Sequence, residues 1–272
     1  MPELPEVETI RSDLDSKLKG RRILKIKIKD LRVIKYPSPD VFRKKLKGDT
    51  FLNVQRRGKF LILNLKSGNT LLIHLGIAGW LEYLKEKDLE YSRIIFELDN
   101  GWKLFYADTR LFGKVRLFSE KELKSFPPFQ KLGPEPLSKN FSLEWFKKAL
   151  SKHRVKIKPL LLNQNFIAGI GNIYAQESLF LAGIHPERKA NRLKEKEIEK
   201  LYQAIKKVLN EAIRYRGTSV NTYVDTSGEE GSFQYRLKVY DREGEPCFRC
   251  KAPIKRRVIA QRGTYFCQRC QK

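Results

Sequence analysis

Four cysteines, all within the last 26 residues, fix more about this chain than any other feature: Cys247-x2-Cys250-x16-Cys267-x2-Cys270. Two C-x-x-C knuckles at this separation can bring four thiolates round one tetrahedral zinc ion. Two disulfides are the alternative, but two C-x-x-C loops in a cytoplasmic chain favour metal. Four protein ligands leave no open position for a substrate, so the expected cofactor is a single structural Zn2+. Residues 242–272 also carry nine Lys or Arg against Glu243 and Glu245. A zinc-stapled hairpin with that charge suits a phosphate backbone or groove. The cysteines come too late to staple the whole fold, so the rest of the chain must bury cores of its own.

At 272 residues it is long enough for two domains with real cores. Lys and Arg number 56 against 31 Asp and Glu, a formal charge of +25 that exceeds what solubility needs and points to a polyanionic partner. The charge is spread along the chain, which implies an anion-binding surface on a folded body. Lys and Arg interrupt every apolar run, so no membrane span is expected. The acidic N-terminus lacks the apolar core of a secretory signal, so a cytoplasmic location is expected.

Residues 2–19 predict one helix stopped at Gly20, with Val7, Ile10, Leu14 and Leu18 on one face. Leu24, Ile26 and Ile28 alternate with lysines and predict a half-buried strand with a basic outer face. Phe60–Leu65 and Leu71–Leu75 flank Lys66-Ser67-Gly68-Asn69, and Ile94–Leu98 and Trp102–Tyr106 flank Asp99-Asn100-Gly101. The Asn-Gly pair is a hairpin signal, because a tight turn there asks both residues for positive φ. With a further strand at Val115–Phe118, an antiparallel β-sandwich behind a leading helix is expected. Prolines from 127 to 136 mark a linker, after which helical spacing dominates: Ser142–Ser151, Lys158–Gln164, Asn172–Ala182 and Lys194–Arg216. Residues 217–236, rich in Gly, Ser and Thr, read as a mobile loop. The expected fold class is therefore α+β and multi-domain: a β-sandwich domain over 2–130, a helical domain over 131–236 and a four-cysteine zinc finger over 237–272.

The chemistry is concentrated at the start. Trimming of Met1 would leave Pro2 with a free secondary amine of pKa near ~8, partly neutral at neutral pH. Such an amine can attack a sugar aldehyde carbon and form an iminium. Glu3 stands beside it as a proton donor or acceptor, with Glu6 and Glu8 on the first turns of the helix. The plainer account is an acidic helix start. Gly169-Ile170-Gly171 before a helix N-terminus exposes backbone N–H groups to an anion, although any glycine-initiated helix shows that spacing.

Pro2-Glu3-Leu4-Pro5-Glu6-Val7-Glu8-Thr9 resembles the N-terminus of the bacterial formamidopyrimidine-DNA glycosylases. Asn163-Gln164-x4-Gly169-Ile170-Gly171-Asn172-Ile173-Tyr174-Ala175-x-Glu177 resembles that family's helix–two-turn–helix element. The resemblance implies phosphate contacts from Asn172 and Lys158. Arg56-Arg57-Gly58-Lys59-Phe60 resembles the strand whose lysine reaches the lesion, so Lys59 would assist proton transfer. His74-Leu75-Gly76-Ile77-Ala78-Gly79 and Asp108-Thr109-Arg110-Leu111-Phe112-Gly113 resemble the loops that fill the gap left by an extruded base. Removing a base from the stack costs a few kcal/mol, which apolar wedges help offset. Ile77 and Phe112 would be wedges, with Arg110 hydrogen-bonding the orphaned base and His74 beside them. Taken alone, these are a core Phe, a surface Arg and a surface Lys. Gly217-Thr218-Ser219 resembles the start of the loop over the flipped base, and Gln261-Arg262-Gly263-Thr264 the segment whose arginine grips phosphate and assists the second elimination.

The matches run from Pro2 to Cys270 in family order. They imply a bifunctional glycosylase and AP lyase working as a monomer on double-stranded DNA with an oxidised base, nucleoid-associated in a bacterium and with no membrane partner. Departures stand beside them. Ile77 replaces a common Met, Tyr91-Ser92-Arg93 replaces His-x-His, and Ala78 offers no carboxylate where some members place Glu. Lys152-His153-Arg154 stands where a further basic DNA contact is expected, giving His153 and Tyr91 as DNA-facing candidates. The alternatives are an endonuclease VIII-like glycosylase for oxidised pyrimidines, disfavoured by Leu4, and a non-catalytic zinc-ribbon DNA-binding protein. The latter explains the charge and cysteines but leaves Pro2, Glu3 and Lys59 without purpose.

Overall fold

The computed structural model describes residues 1–86, 89–220 and 222–272, so Asn221 of the Gly-, Ser- and Thr-rich stretch lies outside the described residues. The chain forms two compact units. One comprises residues 1–130 and 215–234, the other residues 131–214 and 235–272.

The first unit opens with α1 (Leu4–Leu18), followed by β1 (Ile23–Ile28), β2 (Ile34–Tyr36) and α2 (Pro39–Leu46). Then come β3 (Phe51–Arg57), β4 (Phe60–Leu65), β5 (Asn69–His74), β6 (Gly79–Leu84), β7 (Ser92–Leu98), β8 (Lys103–Asp108) and β9 (Lys114–Ser119), with α3 (Glu120–Ser125) and α4 (Pro127–Gln130) closing the run. The strands build a four-stranded sheet, order β1-β7-β8-β6, and a five-stranded sheet, order β2-β9-β5-β4-β3. Pairing is antiparallel except for β2 with β9. Period-2 side-chain placement explains the apolar runs. Leu61, Leu63 and Leu65 of β4 join the main core, while Phe60 and Ile62 face the opposite side under Phe126 and Phe129. With both faces covered, a strand reads as continuously apolar. The helix face of Val7, Ile10, Leu14 and Leu18 is fully buried in the main core, as its spacing predicts.

Two local expectations are corrected. In β1 a register shift between Ile23 and Lys25 puts Ile23 in the core and leaves Leu24 47% exposed. A bulge resets the alternation by one residue. At Asn100-Gly101 only Gly101 has a positive φ (78°). The loop spans residues 99–102, with Gly101 N–H donating to Leu98 O at 3.1 Å, so one left-handed residue suffices to close it.

The second unit holds α5 (Leu143–Ser151), α6 (Ile157–Leu162), α7 (Asn172–Ala182), α8 (Glu195–Arg214), β10 (Lys255–Ile259) and β11 (Arg262–Phe266). Ser142 caps α5, its Oγ accepting from Trp145 N at 3.1 Å. Gly183 stops α7 in the left-handed conformation, φ 75°. Phe180 of α7 packs with Val239, Ile254 and the buried Cys247 and Cys267, which gives the cysteine hairpin its own small core.

The Gly-, Ser- and Thr-rich stretch 217–236 reads in the sequence as a loose loop of the helical domain, but residues 215–234 belong to the first unit. They group with the β unit because Tyr223, 6% exposed, enters its main core and Thr226 O accepts from Tyr83 N of β6 at 2.8 Å. Among the described residues, no helix is long and apolar enough to cross a membrane.

Candidate functional site

In the first unit the candidate catalytic residues converge at the start of α1. Pro2 is buried, Glu3 is 2% exposed and Glu6 1%. The Glu3 N–H donates to Glu6 Oε2 at 2.7 Å, and the Thr218 N–H donates to Glu6 Oε1 at 2.8 Å. Glu6 therefore ties the N-terminal segment to the loop that begins at Gly217. Ser219, beside Thr218, accepts from Gly231 N and donates to Tyr223 O through Oγ.

Lys59 follows Gly58 (φ 58°) in the β3–β4 turn and is largely buried. Arg56 fastens that turn to α1, with Nε donating to Glu8 Oε2 at 2.8 Å and Nη1 to Gly58 O at 2.9 Å. His74 lies across the strand pair opposite Phe60, ring centroids 5.0 Å apart, and its Nδ1 accepts from Gly76 N at 3.1 Å. Burial first, then the charges of Lys59, Lys114 and Arg116, lower the His74 pKa to about 4. His74 is therefore neutral at physiological pH.

The two loops expected to fill a base gap stand back to back. A Cβ on Gly76 (φ 67°) would lie 2.6 Å from the backbone of Phe112 and of Gly113, so only glycine allows this approach. Asp108, fully buried, shapes the second loop by accepting from Arg110 N, Leu111 N and Gly113 N at 2.8–3.0 Å. Its carboxylate went unassigned in the sequence, where an Asp leading into a turn was the available signal. Ile77 (38%) and Phe112 (50%) stay exposed on these loops, and the Arg110 guanidinium lies 5.1 Å from the Phe112 ring. Tyr91 (φ 60°) is exposed, with its ring 5.9 Å from the Arg93 guanidinium; Arg93 Nε donates to Asp108 O.

In the second unit three side chains meet the β10–β11 turn. Lys158 is fully buried, and its Nζ donates to Thr264 Oγ1 at 2.6 Å and Gly263 O at 3.3 Å. Asn172 Nδ2 and Gln176 Nε2 each donate to Gly263 O at 3.2 Å, and Gln176 Oε1 takes the Tyr265 N–H. Lys158, Asn172 and the Arg262 hairpin are thus brought together, with Arg262 itself exposed. Gln164 shapes the glycine turn ahead of α7, accepting from Gly169 N and donating to Ile170 O. His153 stands apart, edge-on to Phe166 at 5.4 Å.

Sequence reasoning missed the role of Gln176, and that of Glu177. The Glu177 carboxylate accepts the backbone N–H groups of Lys238, Val239 and Tyr240 at 2.9 Å each. This holds the segment entering the cysteine hairpin against α7. Burial raises its pKa, and the three amides pull the other way.

The four cysteine Sγ atoms lie within 4.8 Å of one another, with Cys250 and Cys267 3.4 Å and Cys247 and Cys270 3.9 Å apart. Tetrahedral thiolate ligation at about 2.3 Å places sulfurs about 3.8 Å apart. The cluster therefore fits one structural Zn2+, held by Cys247, Cys250, Cys267 and Cys270.

Three family profiles match the chain: formamidopyrimidine-DNA glycosylase N-terminal domain over residues 1–115, formamidopyrimidine-DNA glycosylase H2TH domain over 132–224, and zinc finger found in FPG and IleRS over 244–272. The formamidopyrimidine-DNA glycosylase of Desulforamulus reducens is 45% identical over 276 aligned residues, covering 100% of this chain and 99% of its own length. That of Geobacillus kaustophilus is 42% identical with both chains fully covered. Among solved structures, the complex between Lactococcus lactis Fpg and DNA containing an abasic site matches with a TM-score of 0.93 at 36% identity over 99% of both chains. The MutM (Fpg) protein from Thermus thermophilus matches at 0.89 and 38%, covering 99% of this chain and 98% of its own.

Proposed function

The chain belongs to the formamidopyrimidine-DNA glycosylase family, and we propose that it excises oxidised purines from duplex DNA and cuts the resulting abasic strand by β,δ-elimination. The observation that carries this reading is the Glu6 carboxylate, which binds the backbone of Glu3 and of Thr218 at once. In this reading that carboxylate joins the N-terminus, which supplies the nucleophile, to the loop that contacts the base.

In this reading Met1 is removed, and the neutral Pro2 amine attacks C1′ of the damaged nucleotide while Glu3 protonates the ring oxygen. The C1′–O4′ bond breaks with its electron pair on the oxygen that Glu3 protonates, the C1′–N bond breaks with its electron pair on the base, which takes up the proton released by the Pro2 nitrogen, and the nitrogen lone pair closes an iminium between Pro2 and C1′ of the opened sugar. Lys59, held near α1 by the Arg56–Glu8 pair, assists proton transfer in the first elimination, and Arg262 in the second. Ile77 and Phe112 fill the vacated stack. Arg110 donates to the orphaned base, which makes cytosine the preferred partner, with 8-oxoguanine and ring-opened purines as the excised bases. Asn172 and Arg262 seat a phosphate of the damaged strand, while Lys158, expected to contact phosphate directly, is fully buried and instead supports the hairpin through Thr264 and Gly263, with His74, Tyr91 and His153 as further DNA-facing groups. The zinc ion holds the hairpin's shape and takes no part in the chemistry. The protein would act as a monomer on the bacterial chromosome.

Borohydride tests the reading. Added during reaction with an 8-oxoguanine or abasic duplex, it should reduce the iminium and lock protein to DNA, with the adduct mapping to Pro2. An N-terminal extension should abolish the crosslink and spare binding. No crosslink from protein shown to begin at Pro2 would leave a DNA-binding zinc-ribbon protein without lyase chemistry; an adduct on Lys59 would move the nucleophile to a side chain.

A further inference from the structure

The turn between β10 and β11 is strained in its backbone. Ala260 (φ 49°) and Gln261 (φ 59°) are both left-handed, the pattern of a type I′ hairpin, at two positions that hold neither glycine nor asparagine. Arg262 follows directly, exposed, as the first residue of β11. The ribbon has two strands, so the outward N–H groups of β11 must find partners other than a third strand. Support comes from α7 instead, through Gln176, which is 1% exposed. Its Oε1 accepts from Tyr265 N, and its Nε2 donates to Gly263 O at 3.2 Å and to Asn172 O at 2.8 Å. Both ends of this amide are engaged, one of them on each side of Thr264.

Asn172 is placed differently. Its Nδ2 reaches Gly263 O at 3.2 Å, while its Oδ1 is buried with no hydrogen-bond partner among the described residues. Lys158 Nζ is a third donor to Gly263 O, at 3.3 Å, and holds Thr264 Oγ1 at 2.6 Å besides. A carbonyl oxygen has two lone pairs, so three donors over-subscribe it. Of the three, Asn172 leaves at least cost. Gly263 O then keeps two donors, and an amide that was half satisfied is released to find a partner for each end.

We propose that Gln176 is a positioning residue for Arg262: it fixes the turn from α7, so that Arg262 keeps its place while the Asn172 amide turns from Gly263 to a backbone phosphate. This rests on the glycosylase reading, in which Arg262 acts in the second elimination. Gln176 has no part in releasing the base or in the first elimination, so those steps are indifferent to it once DNA is bound.

The test uses the full chain with Gln176→Met, which removes the donors and the acceptor at similar length. Hydrogen exchange of the Tyr265 amide in the free protein should quicken about tenfold, the loss of one hydrogen bond. On a preformed abasic duplex, with protein saturating and turnover limited to one round, the first cut should stay within about twofold of wild type and the second should slow about tenfold. In an Arg262→Ala background the same substitution should add no further slowing, because a positioning residue acts only through the group it positions. Gln176→Glu keeps an oxygen for Tyr265 N–H and loses the N–H donors, so it should slow the second cut alone, by less, and carries the same comparison if Gln176→Met does not fold. Unchanged exchange at Tyr265 in Gln176→Met, equal slowing of both cuts, or a full further loss in the Arg262→Ala background would overturn the assignment. Failure of the glycosylase reading shows separately, as wild-type protein that forms no borohydride crosslink to abasic DNA.

Discussion

The backbone N–H of Thr218 donates to Glu6 Oε1 at 2.8 Å, although 212 positions separate the two residues. With the Glu3 amide on the other oxygen, one buried carboxylate satisfies two buried N–H groups from distant parts of the chain.

Glu6→Gln keeps the shape and replaces one acceptor with a donor, so at least one amide loses its partner. The expected cost is about 1–3 kcal/mol of stability. Base excision should fall with it, because the amides of Glu3 and Thr218 are no longer held by one group. Thermal melting and single-turnover excision check this; a variant matching wild type in both would remove Glu6 as the support.

Acid should destabilise the first unit through His74. In the unfolded chain His74 binds a proton near pH 6.5, and in the folded one only near about 4. Between these values the unfolded state holds more protons, so stability falls as pH drops from 6.5 towards 4, by about 3 kcal/mol across the window. His74→Asn keeps an acceptor for the Gly76 N–H without a titrating charge and should flatten that slope. Denaturant melts at several pH values measure it, and identical slopes for the two proteins would refute the assignment.

Gly76→Ala should cost about 2–3 kcal/mol, since the added methyl meets the Phe112 and Gly113 backbone at 2.6 Å and the residue must keep a positive φ. Moving the Phe112 loop should also slow excision more than abasic cleavage, where no base has to be displaced. A fully stable variant would mean that the two loops part freely.

Cys250→Ser should reduce zinc from one ion per chain to a small fraction and weaken binding to damaged duplex, with the first unit still folded. Elemental analysis and the near-ultraviolet spectrum of the aromatic core provide the two readouts. Wild-type protein free of zinc as purified, yet binding duplex, would sink the structural role.

Local pattern explains what could be read in the sequence. Val7, Ile10, Leu14 and Leu18 share a face at helical spacing and are all fully buried. The four cysteines, paired by short knuckles, form one cluster as their spacing implied. The family resemblance supplied Lys59 and Asn172 as candidates, which composition and periodicity alone do not single out, whereas the amine chemistry of a trimmed N-terminus raised Pro2 before it. The rest was hidden because its partners are remote. Gln176 and Glu177 look like ordinary polar positions of a helix until the segments at 238–240 and 263–265 close on them. Tyr223 sits in a stretch whose composition says loop, and only its burial in the main core of the first unit shows it to be core. Lys158 is a cation in an apolar helix whose counterpart lies 105 positions away.

The split of the first unit across the sequence also sets an order of events on the ribosome. Residues 1–130 emerge long before Tyr215–Gln234, which carry Thr218 and the core residue Tyr223. Until that late segment arrives, the Glu6 carboxylate lacks its Thr218 donor and the hydrophobic core lacks Tyr223. The surroundings of Glu6 are thus completed only after residues 215–234 have followed the first 130 by more than eighty positions.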